Sequence, residues 1–171
     1  MFCRDKARIA FATSVAWILL SPAARPQSRP QLTGGSAVLV SALADAAERA
    51  DAKLATPPCR MVFLDFRSLD GHRLQETLDG LGQDGQSYFR GLVFYDGYGQ
   101  TACATRDILA FTRPGSRAVF LCSAQFVDKA RRDPGLAAAL LIHEELHALG
   151  LGENPPASRE ITQKVIERCG K

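Results

Sequence analysis

Apolar positions recur along this chain with two different periods, and the change of period marks its elements. Residues 36–54 are rich in Ala, Leu and Val with charged side chains on the far side, the spacing of an amphipathic helix. Thr56-Pro57-Pro58 ends it, because proline has no amide to donate and clashes with the preceding turn. Residues 60–66 are a short apolar run, which predicts a buried strand, and residues 91–95 predict a second. Between them, residues 69–85 read as a turn with a short helix at 74–81. Gly97 and Gly99 punctuate the next turn. Residues 108–112 and 118–122 are β-leaning runs around Arg113-Pro114-Gly115-Ser116, where Pro-Gly suits the central positions of a type II turn, so the two form a hairpin.

The second half returns to helical spacing. Residues 136–149 read as a helix, with Asp133-Pro134 as N-cap and first-turn proline and Gly150 where a left-handed glycine would stop it. After Pro155-Pro156, Ile161, Val165 and Ile166 fall at amphipathic spacing within residues 159–169. The order predicts an α+β domain: an N-terminal helix, a small mixed sheet with a hairpin, a long late helix and a short C-terminal helix.

The opening residues change how the rest is read. Arg4, Lys6 and Arg8 precede an apolar run at 9–20, and Ser21-Pro22-Ala23 offers the small residues of a processing site. Residues 1–23 therefore read as a signal peptide, 24–35 as a flexible Pro- and Gln-containing leader, and 36–171 as one domain. The run is short of the ~20 residues a membrane-spanning helix needs, so no stable anchor is expected after processing. The chain would then be secreted or periplasmic. The processed chain carries 18 Lys and Arg against 17 Asp and Glu. That balance lacks the basic stripe of a nucleic-acid binder, and a monomer is expected. Four cysteines remain: Cys59, Cys103, Cys122 and Cys169. In an exported chain an even count suggests two disulfides, for which three connectivities are open. The expected pairing is Cys103 with Cys122, bracing the hairpin region, and Cys59 with Cys169, tying the C-terminal helix to the first strand.

One pentad carries the chemistry. His143-Glu144-Glu145-Leu146-His147 lies in the late helix of a chain with only three histidines. Positions i and i+4 share a helix face, so two imidazoles can meet one metal ion while Glu144 sits beside it. A carboxylate there can take a proton from a metal-bound water, whose pKa a catalytic zinc lowers to roughly 7.

This pentad resembles the zincin metallopeptidases. The stretch from His143 through Gly150 to Glu153 follows the metzincin pattern His-Glu-x-x-His-x-x-Gly-x-x-His, with Glu153 in place of the last histidine. The resemblance implies a zincin-like fold, Zn2+ held by His143, His147 and Glu153, and Glu144 as general base. Metzincins also carry a methionine turn after the motif, whereas Met1 and Met61 both precede it. The gluzincin-like alternative takes the third ligand from the following helix, where Glu160 is the candidate, although acidic residues favour helix starts for dipole reasons alone. Glu153 is preferred for its spacing after Gly150.

The reading is a secreted zinc-dependent peptidase acting on a peptide or protein substrate. Two alternatives stand beside it: a non-catalytic binding protein of zincin fold, and a zinc amidase acting on cell-wall peptides. An extended substrate would lie along a sheet edge above the metal helix, as the resemblance implies. Tyr95 and Tyr98 are candidates to stabilise an oxyanion, although turn and core roles fit them as well. His72, in the polar turn Asp70-Gly71-His72, reads as a solvated loop residue.

Overall fold

The computed structural model describes residues 30–170. The expected signal peptide lies outside them. Within them the chain is a mixed α+β fold, with helices packed around one four-stranded sheet.

The first helix, α1 (Ala37–Leu54), starts where Ser36 accepts a hydrogen bond from the Leu39 amide at 3.3 Å. Leu39, Leu43, Ala46, Ala47, Ala50 and Leu54 bury its apolar stripe. Before it, β1 (Gln31–Thr33) occupies part of the stretch expected to be a flexible leader. Its one apolar residue gives no periodic signal; backbone pairing with β2 holds it in place.

The run at 60–66 is not a strand. It forms two helical turns, α2 (Pro57–Arg60) and α3 (Val62–Asp65). Buried Cys59, Val62 and Phe63 stand at i, i+3 and i+4 while Leu64 and Asp65 are exposed, which is one helical face and not strand alternation. Pro57 and Pro58 sit at the helix start, where a missing amide costs nothing.

A short helix, α4 (Leu74–Gly80), falls where expected, and α5 (Gly85–Arg90) is a further helix capped by Asp84. The sheet follows: β2 (Val93–Asp96), then β3 (Ala110–Thr112) and β4 (Ala118–Leu121). Its order is β1-β2-β4-β3, with β1 and β4 parallel to β2 and β3 antiparallel to β4. The expected hairpin is therefore present. Gly115 has φ +80° and the Ser116 amide returns to the Arg113 carbonyl at 2.9 Å, as a type II turn requires. The hairpin leaves β3 on the sheet's edge.

Two helices run on from β4. The first, α6 (Ser123–Arg132), lies outside the elements expected from sequence, although Phe126, Val127 and Ala130 give it an apolar face at helical spacing. The second, α7 (Pro134–Ala148), buries 11 of its 15 residues, which makes it the central helix and not a surface one. It packs against α1, α6, β3 and α8 (Ser158–Cys169). Side chains on several of its faces thus meet protein instead of water.

Disulfides join Cys59 to Cys169 and Cys103 to Cys122, the expected pairing. Cys59 lies in α2, so the first ties α8 to a helical turn, and Arg168 adds a two-point ion pair to Asp65 at 2.7 and 2.8 Å. Such links typically stabilise a small domain by about 2–4 kcal/mol each. Among the described residues no helix is long and apolar enough to cross a membrane.

Candidate metal centre

Local sequence fixes both ends of the helix that carries the pentad. Asp133 accepts from the Leu136 amide at 2.9 Å, with Pro134 in the first turn. At the other end the Gly150 amide donates to the His147 carbonyl at 2.8 Å and the Leu151 amide to the Leu146 carbonyl at 3.1 Å. This pair of bonds is a Schellman motif, and Gly150 has the positive φ, +109°, that it needs. The buried Tyr88 hydroxyl donates to the Ala148 carbonyl at 2.8 Å and so fixes the last turn from α5.

The helix and its glycine turn bring three ligand atoms together. His143 Nε2 and His147 Nε2 lie 2.9 Å apart, and Glu153 Oε1 lies 3.7 Å from the first and 3.3 Å from the second. The two rings are 3% and 5% exposed as residues, so water does little to solvate them. Burial, then the neighbouring His147, pushes the His143 imidazolium down to about 3. A buried neutral imidazole presents a lone pair. His147 Nδ1 sits 2.7 Å from the Leu151 carbonyl oxygen, which can only accept, so the neutral His147 ring is the tautomer with its proton on Nδ1 and its Nε2 lone pair toward the cluster. Two imidazole nitrogens and a carboxylate oxygen within 4.8 Å of one another could hold a metal ion.

Two buried carboxyls flank this group and differ in surroundings. Glu144 Oε2 has no hydrogen-bond partner, and burial followed by the Glu153 carboxylate pushes its carboxyl up to about 8. It lines the cleft beside the histidines. Glu145 is fully buried with neither oxygen paired, and burial, then Asp84 and Asp51, raises it well above the usual carboxylate range. Its charged neighbours belong to α1 and the start of α5, away from the cleft, and it is not among the cleft-lining residues.

The cleft, about 480 Å³, runs along β3. Ile108, Leu109, Phe111 and Pro114 form its sheet side, and Leu140, His143, Glu144, His147, Glu153 and Ser158 its helix side. Asp107 and Thr112 add polar groups on the sheet side. Glu160 is not among the converging ligands: its carboxylate accepts from the Ala157 amide at 3.0 Å and caps α8. His72 stands in an exposed turn, 3.5 Å from Glu76. Tyr95 stacks on Phe120 across the sheet and Tyr98 is 89% exposed; neither lines the cleft. One site residue escaped the sequence reading altogether. Thr162 Oγ1 lies 2.9 Å from His143 Nδ1, and a lone threonine on another helix carries no motif that would announce it.

Comparison with protein-family models, with curated proteins and with solved structures finds no match to this chain.

Proposed function

We propose that this protein is an exported, zinc-dependent peptidase of zincin type. The observation that carries the reading is the convergence of His143 Nε2, His147 Nε2 and Glu153 Oε1 beside the unpartnered carboxyl of Glu144 in one cleft. Imidazole and carboxylate donors suit zinc, and three protein ligands leave the open position that catalytic sites keep. When bound, the ion would supply Lewis acidity and activate water near neutral pH.

The chain's own residues do the rest. With a cation held beside it, the Glu144 carboxyl, which burial alone raises, would be ionised, and its Oε2, free of any other hydrogen bond, would take the proton of the attacking water and return it to the leaving amine. Glu153, 41% exposed at its side chain, would complete the ligand set from the solvent-facing side of the histidines. The edge strand β3 offers backbone groups that pair with an extended peptide whatever its side chains, and the apolar Ile108, Leu109 and Phe111 line its path. Two disulfides support an oxidising compartment and hence export.

The test is cleavage of casein and of a peptide library by the zinc-loaded protein, with a chelator and with zinc restored. Cleavage should vanish and return. Glu144→Gln should keep its zinc yet lose on the order of 10²–10⁴-fold in turnover. Undiminished cleavage by that variant removes Glu144 from the mechanism. Cleavage of cell-wall peptides alone would replace proteins as the substrate.

A further inference from the structure

The outer nitrogens of the two histidines are held by partners of different kind. Opposite His147 Nδ1 stands the Leu151 carbonyl, 2.7 Å away, which accepts and never donates. Opposite His143 Nδ1 stands the Thr162 hydroxyl, 2.9 Å away, which does either. Thr162 is half-buried in the interior of α8, nineteen residues beyond His143 in sequence.

A neutral imidazole carries one proton, so these partners constrain each other. His147 keeps its proton on Nδ1 and turns a bare Nε2 toward His143 at 2.9 Å. Without an ion, that contact is satisfied when His143 carries its proton on Nε2 and donates it to His147. His143 Nδ1 is then an acceptor, and the hydroxyl donates to it. When both Nε2 lone pairs serve a cation, the His143 proton must sit on Nδ1, and the same hydroxyl accepts it. A carboxylate opposite Nδ1 would suit only the second state, and a backbone amide only the first.

We propose that Thr162 is a positioning residue of the metal centre, whose hydroxyl follows the His143 tautomer and keeps His143 Nδ1 hydrogen-bonded with and without the ion. This rests on the reading of His143, His147 and Glu153 as a zinc site. It also makes α8, stapled to α2 by Cys59–Cys169, part of the metal-binding apparatus.

The test compares wild type, Thr162→Val and Thr162→Ser by titrating zinc against a competing chelator. Valine keeps the branched shape and can neither donate nor accept, so affinity should fall about 10–100-fold, the usual effect of removing an outer partner of a ligating histidine. Serine restores the hydroxyl and should recover near-wild-type affinity. Equal affinity in Thr162→Val overturns the proposal, as does a loss that serine fails to rescue, which would mark a packing defect. A wild type that takes no zinc instead sinks the underlying metal reading. A second measurement needs no variant: ¹⁵N spectra of the imidazoles should find the His143 proton on Nε2 in the metal-free protein and on Nδ1 after zinc is added. A proton on Nδ1 in both states overturns the dual role of the hydroxyl.

Discussion

Glu153 and Glu160 are seven residues apart in sequence, and their carboxylates do unlike work. Glu153 Oε1 turns back to His147 Nε2 at 3.3 Å, while Glu160 is spent on the Ala157 amide at the start of α8. If zinc sits between His143, His147 and Glu153 as proposed, Glu153→Ala should cost more affinity than the 10–100-fold typical of an outer partner, because it removes one of three ligands. Glu160→Ala should leave affinity unchanged and lower stability by about 0.3–1 kcal/mol. Chelator competition on both variants separates them; the reverse result would restore the gluzincin-like site. Glu145 is a different case. Its two unpaired, fully buried oxygens carry a desolvation cost with no hydrogen bond to offset it. Glu145→Met should stabilise the fold by about 1–3 kcal/mol with zinc affinity unchanged. A lower melting temperature for that variant would mean the carboxyl has a partner in solution. His143, Glu144 and His147 were legible because their relation is local to one helix, and Glu153 because a glycine turn sets its spacing. The Leu151 carbonyl and the Thr162 hydroxyl were not, since one is a backbone group and the other arrives by tertiary packing.

At the level of elements, the end of α7 decides whether the ligands meet. Gly150 takes φ +109°, and an added Cβ would stand 3.1 Å from the Ser68 Cβ. The turn it makes aims the Leu151 carbonyl at His147 and leads the chain to Glu153. Gly150→Ala should thus destabilise the protein by about 1–3 kcal/mol through backbone strain and weaken zinc binding along with it. Melting and chelator competition on that variant check both effects; a stability loss with wild-type affinity would show the turn to be dispensable for the site. Two helices could be read from sequence: α1 from its cap and buried stripe, and α7 from its Asp133 cap, first-turn proline and the glycine that stops it. The apolar run at 60–66 could not, because so short a segment has the same composition as a strand or as two helical turns. Flanking prolines and the disulfide to α8 make it helical. The strand β1 escaped because it depends on backbone pairing; α6 has no such excuse, since Phe126, Val127 and Ala130 mark an apolar face at helical spacing.

For the whole molecule, the sheet, the central helix and α8 converge on one cleft. The hairpin supplies its edge strand, α7 its histidines and Glu144, the chain beyond Gly150 its carboxylate, and α8 its buttress. Two disulfides tie its parts together, Cys103–Cys122 at the end of β4 and Cys59–Cys169 between α2 and α8. The α+β class and the hairpin followed from the change of period along the chain; the strand order did not, since nothing in β1 or β2 specifies a parallel neighbour. The proposed function requires a metal ion held between His143, His147 and Glu153. The most direct measurement is an anomalous difference map at the zinc edge from crystals grown with zinc. It should contain one strong peak, bonded to His143 Nε2 and His147 Nε2 at about 2.0–2.1 Å and to a Glu153 oxygen at about 2.0–2.2 Å. A crystal with no peak between these three side chains, or with the ion held by Glu160 in place of Glu153, would contradict it.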